Sequence, residues 1–376
     1  MNAMSALPPA DLAEDFWSYI QKEKRPIVVY GMGNGGDKLV SRLSLYGVTV
    51  ADFFASDGFV RGQLFHGKRV LSLADVEEKY KGFVILVSFG SHLSEVVDFI
   101  YRLSERHEVY IPDMPLAGEE YFDAAFYRTH YDGICRAYEL LADETSKRLF
   151  ADLIRYKLTA SPLYLKRAVF HEDEKALLGF DTLRSAIDVG AYRGDTLREL
   201  FASAPCLKEV YAVEPDRKNF AKLKAYSDSL EGVSVSCYHA AAWDADGSLS
   251  FAVSGNRNAA VISKNGQLSS HQHKTEEIKS VKIDTIAQGR KIDYIKFDTE
   301  GAESEALRGS INTIRESAPA LLVSAYHRSE DIFSLLLWLA EEAGEKYDFY
   351  FRRHNCIPAW DMNLLAIPKK GGDIHA

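Results

Sequence analysis

The stretch AIDVGAYRGDT, Ala186 to Thr196, decides how this chain folds. Ala186 to Val189 predicts a short buried strand. Gly190, Ala191, Tyr192, Arg193 and Gly194 predict a sharp loop, and Asp195 and Thr196 lead into a helix from about Leu197. A strand that feeds a helix through a glycine-rich turn is where open α/β sheets hold nucleotide-like ligands. Glycine lets the main chain approach such a ligand with no Cβ in the way. The spacing is G-x-x-x-G rather than G-x-G-x-x-G, and an acid, Asp188, precedes the first glycine. That pattern suits a ligand with an ammonium group and no pyrophosphate, and S-adenosylmethionine (SAM) has that shape. The competing reading is a plain tight turn.

Working outward, Glu209 to Val213 (EVYAV) predicts a second strand, ending at Glu214-Pro215-Asp216. A carboxylate at that tip, Glu214, is placed to accept hydrogen bonds from ribose hydroxyls. Pro215 opens a helix, where its missing N–H costs nothing. Val233 to His239 predicts a third strand, followed by Ala240, Ala241, Ala242 and Trp243. Small residues there leave room for a flat adenine, with Trp243 bordering the ring; Asp244, Asp246 and Gly247 equally suit a simple turn. Ile292 to Glu303 (IDYIKFDTEGAE) predicts another buried strand, with Asp298 and Glu300 at its C-terminal end and Gly301 at the turn. The remaining pattern predicts strands at Leu249–Val253, Val281–Ile286 and Ala320–Ala325, and helices at Gly301–Arg315 and Asp331–Glu342. Two closing strands follow, Tyr347–Phe351 and Asn363–Ile367. A parallel run closed by a hairpin predicts a seven-stranded α/β sheet with an antiparallel edge.

The motifs DVGAYRG, EPD, HAAAWDADG (His239 to Gly247) and KFDTEGAE, in this order, resemble the FkbM family of SAM-dependent methyltransferases. The resemblance covers roughly Leu163 to Pro368. It implies a SAM-binding Rossmann-like fold and O-methylation of a small hydroxylated acceptor, a sugar or nucleotide-sugar among the options. Cofactor contacts are expected from Asp188, Gly190, Ala191, Tyr192, Gly194, Thr196, Glu214, Pro215, Asp216, Ala241, Ala242, Trp243 and Asp298. Family members often carry a carboxylate in an Ile-Glu-x-His context on the strand after D-x-E-G. Here that strand reads LLVSAYHR, with Ser324 at the acid's position and His327 retained.

Methyl transfer from a sulfonium requires the acceptor oxygen to be held in line with the methyl group. A hydroxyl needs a base to take its proton. Asp298, Glu300 and His327 are the candidates, and histidine ordinarily titrates near about 6.5. Asp298 has a second reading, as a partner for the SAM ammonium group or a guide for the acceptor. Glu300 has one as a favourable charge at a helix start. No metal is required; a divalent ion between Asp298, Glu300 and the acceptor is compatible with the pattern.

The preceding half reads differently. Residues 1–24 predict a tail with a short helix, Asp11–Lys22. Residues 25–115 predict a small Rossmann-like parallel α/β domain. Its strands are Pro26–Tyr30, Val48–Phe54, Phe83–Ser88 and Val109–Ile111, and its first helix is Asp37–Tyr46. Gly31, Gly33 and Gly36 form G-x-G-x-x-G, and Asp57 follows Gly36 by 21 residues, the spacing for an acid that contacts a ribose. This predicts a nucleotide or nucleotide-sugar site with phosphates at the helix start. The unit resembles the small Rossmann-like domain at the front of some sugar-modifying acyltransferases. The plain reading is a degenerate unit kept for packing or homo-oligomerisation. An NAD(P)-dependent oxidoreductase remains an alternative function, although the second half of a dinucleotide domain is missing. A non-catalytic nucleotide- or SAM-binding module is another.

Residues 116–180 are rich in aromatics, including Tyr121, Phe122, Phe126, Tyr127, Tyr131, Tyr138, Tyr156 and Tyr164. Their spacing predicts two or three linking helices with the rings mainly in the core, and places Tyr164 and Lys166 as a cover for the SAM site. Residues 181–370 form the expected methyltransferase domain and 371–376 a tail. Within it, Gly255–His273 predicts a polar loop on the acceptor side, containing Asn256, Arg257, Asn258, His271 and His273. His271 and His273, at i and i+2 with no third ligand nearby, are read as solvated, with a metal site as the competing reading.

Composition bounds the function. The chain has 376 residues, is 47% hydrophobic and 26% charged, and carries a net charge of −9. An acidic balance opposes a nucleic-acid backbone as the main partner. Arg352 and Arg353 read as a solvated strand face. The four cysteines, Cys135, Cys206, Cys237 and Cys356, lack metal-ligand spacing and read as reduced thiols. The N-terminus lacks the blocks of a signal peptide, and IFSLLLWLAEEAG is too short to span a membrane. A cytoplasmic enzyme acting on small molecules is expected.

Overall fold

The structure is a computed structural model that describes residues 3–12, 14–253, 261–262 and 274–369. The apolar runs become central strands. Ser185–Val189, Tyr294–Phe297 and Ala320–Ser324 are buried along nearly their whole length, as strands covered on both faces must be. They belong to a seven-stranded sheet. Its order is Tyr347–Arg353, Met362–Pro368, Ala320–Ser324, Tyr294–Phe297, Ser185–Val189, Glu209–Val213, Ser234–Tyr238. Five neighbouring strands are parallel, and Met362–Pro368 runs antiparallel to both of its neighbours. Strand order reverses between Ser185–Val189 and Tyr294–Phe297, which opens a crevice at their C-terminal ends.

A second, four-stranded sheet carries the first part of the chain. Its order is Asp52–Phe54, Ile27–Tyr30, Val84–Val87, Glu108–Tyr110, all parallel. The expected helix begins earlier, at Asn34. The expected helix at Asp11 begins at Phe16, because Asp15 caps it by accepting from the Ser18 amide at 2.7 Å. A smaller sheet joins Ala241–Ala242, Lys274–Val281, Gly247–Val253 and Val261–Ile262.

Several expectations are corrected. The strand expected over Val281–Ile286 ends at Val281, and Ile283–Ala287 is a helical turn. Ile283, Ile286 and Ala287 bury one face at helical spacing, and Asp284 accepts from the Thr313 amide at 2.8 Å. The helix expected over Gly301–Arg315 is two, Glu303–Arg308 and Ile311–Ser317, interrupted where the Trp243 carbonyl packs against Gly309. Part of the predicted 255–273 loop is strand, at Val261–Ile262. Asn256, Arg257, Asn258, His271 and His273 lie outside the described residues, as does the 371–376 tail.

Residues 116–180 form four helices, Ala124–Glu139, Glu144–Thr159, Pro162–Arg167 and Glu174–Leu177. Phe122, Phe126, Tyr127, Tyr138 and Tyr156 are buried, as core aromatics should be. Glu144–Thr159 lies against strand Tyr347–Arg353 and buries Leu149, Phe150, Leu153, Ile154 and Tyr156. Each such side chain contributes about 1.5–3 kcal/mol of gross hydrophobic stabilisation. Tyr164 and Lys166 do not reach the crevice. They sit on a helix packed against Ser94–Leu103, with the Lys166 ammonium over the Tyr101 ring.

Arg352 and Arg353 are not solvated; they are 1% and 0% exposed. Arg352 is clamped by Asp173 at 2.5 Å and Asp143 at 2.8 Å. Arg353 donates to the carbonyls of Ala168 (3.0 Å), Pro358 (3.1 Å) and Cys356. Two guanidinium groups thus tie the helical segment and the closing loop to the sheet edge.

The two larger sheets are joined by main chain. Ser91 and Ile357 exchange both hydrogen bonds, at 2.8 and 3.1 Å. The amides of Leu116 and Ala117 donate to the His327 carbonyl at 3.0 and 2.9 Å. One core cluster runs from Val28 and Ile85 of the first sheet to Ile187 and Phe297 of the second. Among the described residues, no helix is long and apolar enough to cross a membrane.

Candidate active site

A cavity of about 380 Å³ fills the crevice at the C-terminal ends of the seven-stranded sheet. It gathers three separate motifs: Gly190, Ala191, Tyr192 and Thr196 from the first turn, Glu214, Pro215 and Asp216 from the second strand tip, and Asp298 and Glu300 from the fourth strand. Ala241 and Ala242 complete one wall.

Glu214 is held by the main chain. Its Oε2 accepts from the Tyr192 amide and its Oε1 from the Asp216 amide, each at 2.8 Å. Each oxygen keeps a further lone pair for a ligand hydroxyl. Burial pushes this carboxyl up to about 7, against the pull of the two amides. A donor from a ligand would restore its ionised form.

Gly190 serves a purpose the sequence did not reveal. A Cβ there would lie 1.8 Å from the Asp298 carbonyl oxygen, so the glycine admits a neighbouring strand end as well as a ligand. Gly194 starts the helix at Asp195 with φ of 87° and lies against Tyr226, away from the cavity. Asp188 is also displaced from its expected role. It is fully buried, it does not line the cavity, and neither carboxylate oxygen has a hydrogen-bond partner. Burial pushes it up to about 6, with Lys296 pulling the other way. Trp243 lies outside the cavity too, in a small cluster with Ala241, Leu249 and Ile278.

Lys296 was missed by sequence reasoning, although a lysine inside the apolar run YIKF was a signal. It lines the cavity, donates to Thr196 Oγ1 at 3.0 Å, and pairs with Asp298 at 3.3 Å. Burial acts to lower its pKa, but Asp298 and Asp188 outweigh it, so the ammonium stays charged. His92 was also missed, because it comes from the first sheet's side of the chain. It lines the cavity and pairs with Asp361 at 3.0 Å.

The three candidate bases are brought together, though not as equals. Glu300 stands at the cavity wall in a left-handed conformation, φ 56°. Its side chain is 45% exposed. Partial desolvation, with Asp298 and Glu303 adding, pushes its carboxyl up to about 7 against the pull of His327. His327 is buried behind it. Nδ1 lies 3.0 Å from Glu303, and Nε2 lies 3.6 Å from both Asp298 and Glu300. Burial would lower its pKa, but Glu303 and the two other carboxylates raise it to about 10. Glu303 is fixed in turn by the Thr299 amide at 2.7 Å and hydroxyl at 2.9 Å.

Among the described residues, two groups bring three ligand atoms within 4.8 Å of one another: Asp298, Glu303 and His327, and His92, Cys356 and Asp361. In the first, the imidazolium already supplies the positive charge. The second places Cys356, read from sequence as isolated, beside two other ligand types.

The glycine turn of the first sheet departs from expectation. Gly33 has open space around it, but Gly31 packs on Phe89 and Ser88, and Gly36 on Phe65. Asp57 is exposed, in a turn over Asp57–Phe59, and lines no cavity there. The ribose contact expected of it is therefore not formed around this turn.

Residues 188–349 match the family model described as the methyltransferase FkbM domain. Among solved structures, methyltransferase FkbM from Methylobacillus flagellatus KT shares the fold. Its TM-score is 0.67 at 20% identity, covering 97% of this chain and 95% of that one. An rRNA methylase from Streptococcus thermophilus aligns over 53% of this chain and 96% of that one, with 11% identity and a TM-score of 0.35. No curated protein matches the sequence. The chain carries a methyltransferase FkbM domain over residues 188–349, and it is a methyltransferase that uses S-adenosylmethionine.

Proposed function

We propose that this enzyme methylates a hydroxyl group of a small molecule, a sugar or sugar derivative, with Glu300 as the proton acceptor. The observation that carries the assignment is geometric: Glu300 stands at the cavity wall with the buried His327 ring 3.6 Å behind it, where burial pushes the carboxyl up to about 7. A base working near neutral pH should titrate there. His327, already protonated, is a poor base; its charge and the Glu303 contact set the positions of Asp298 and Glu300.

The residues fit the cofactor. The main-chain-anchored carboxylate of Glu214 suits two ribose hydroxyls, and Ala241 and Ala242 leave a flat space for adenine. Lys296 and Asp298 offer opposite charges to the carboxylate and ammonium of the amino-acid end. Asp188, sealed below, holds Lys296 charged rather than touching ligand. When bound, SAM supplies an electrophilic methyl group on a good leaving group. Glu300 would take the proton that the acceptor hydroxyl gives up as the methyl group passes from sulfur to oxygen, and the cavity walls would hold acceptor and cofactor in line.

The NAD(P)-dependent and non-catalytic readings give way to this one. We take residues 25–115 and 181–370 as two domains bridged by 116–180, working in the cytoplasm, where the unpaired cysteines suit a reducing setting.

The test begins with calorimetric titration of SAM into the wild type and Glu214→Ala. Loss of about tenfold or more in affinity is expected, on the scale of hydrogen bonds to a charged group. Label transfer from methyl-labelled SAM onto a panel of hydroxylated sugars follows, with the position read by NMR. Methyl groups found on nitrogen or carbon would overturn the proposal.

A further inference from the structure

A second cavity of about 260 Å³ lies where strand order reverses in the four-stranded sheet, beyond the C-terminal ends of Ile27–Tyr30 and Val84–Val87. That crevice is where open parallel sheets hold ligands. Phe89, Met114 and Leu116 give it apolar walls, and Pro358 and Trp360 of the seven-stranded half close it. Among the described residues, no aspartate or glutamate lines it, and its single charged residue is Lys38.

Lys38 is the unexplained group. It is half-buried and makes no hydrogen bond or ion pair with any described residue. An ammonium drawn from water without a partner costs free energy, and burial lowers its pKa accordingly. Two lysines more withdrawn from solvent each have a carboxylate: Lys157 has Asp113 at 2.6 Å, and Lys296 has Asp298 at 3.3 Å. Gly35 at the helix start packs tightly on Ser88, so the pyrophosphate cradle expected from the glycine spacing is closed at that point. The open space is displaced toward Lys38 and Trp360. A ligand here needs one anionic group for Lys38 and a ring or apolar portion for the surfaces of Phe89 and Trp360.

We propose that this cavity is a binding site for an organophosphate, its phosphate against Lys38 and its organic portion between Phe89 and Trp360. The cavity lies beside the methyl-transfer site. The Gly90 wall leads two residues on to His92, and the Leu116 wall leads to Ala117, which packs on Gly301 and donates to His327.

The test is calorimetry on the full chain with three probes: a nucleoside diphosphate, a sugar 1-phosphate and inorganic phosphate. Binding of either organic probe, weakened at least tenfold in Lys38→Met with SAM affinity unchanged, is the expected result. The tighter of the two identifies the source of the phosphate. Unchanged SAM binding shows that the variant is folded and separates this site from the cofactor site, whose loss in Glu214→Ala bears on the methyl-transfer reading alone. Three outcomes would overturn the proposal: no binding of either organic probe, equal binding by inorganic phosphate, or Lys38→Met binding like the wild type.

Discussion

At the scale of single residues, the division of labour among carboxylates makes distinct predictions. Glu300→Gln keeps shape and removes the base, so kcat falls about 10²–10⁴-fold while SAM affinity measured by calorimetry is retained. In the wild type, kcat/KM rises as pH passes about 7, the value to which Glu300 is pushed, and that limb disappears in the variant. Stability follows the opposite sign. Asp188 and Glu214 hold protons more tightly when folded than at their ordinary values of 3.8 and 4.5. Their contribution is fully present below pH 4 and is lost as pH rises through about 6 to 7. Between about pH 4 and 6, a thermal melt of the SAM-free protein should therefore lose stability relative to the Asp188→Asn variant, in which that group does not titrate. The motif residues Glu214, Asp298 and Glu300 were legible because their chemistry is announced by position at strand tips. The sealing of Asp188 was not, since one residue's difference along a strand decides whether a side chain reaches the cavity or the floor beneath it.

At the scale of elements, strands were legible and their neighbours less so. VILV and YIKF have few ways to be anything but buried strands. Ile283–Ala287 is held in place by Asp284, whose carboxylate accepts from Asn312 and Thr313 in the first turn of helix Ile311–Ser317, some thirty positions away, which no local pattern records. Arg352 and Arg353 mislead for the same reason: their partners, Asp143, Asp173 and the carbonyls near Cys356, are distant or irregular in sequence. Replacing Arg353 by Leu leaves several buried carbonyls without donors. At about 1–3 kcal/mol for each unsatisfied group, urea unfolding should show a loss of about 3 kcal/mol or more, and a loss below about 1 kcal/mol would count against this reading.

At the scale of the whole molecule, the parallel strands of both sheets could be anticipated from alternating strand and helix patterns, and the antiparallel edge from the closing hairpin. Their junction could not, because Ser91, Ile357, Leu116 and His327 carry no pattern that pairs them. A chain lacking residues 1–115 is expected to bind SAM weakly and to expose core; hydrogen–deuterium exchange would show lost protection around His327 and Ile357. The exchange between Ser91 and Ile357 has an evolutionary consequence. Side-chain interfaces drift residue by residue, but a main-chain pair tolerates most substitutions and few insertions. The two halves are therefore free to diverge in sequence while remaining bound to a fixed loop length at residues 88–92 and 354–360. A recombination event that imported a foreign front half would have to import that geometry with it.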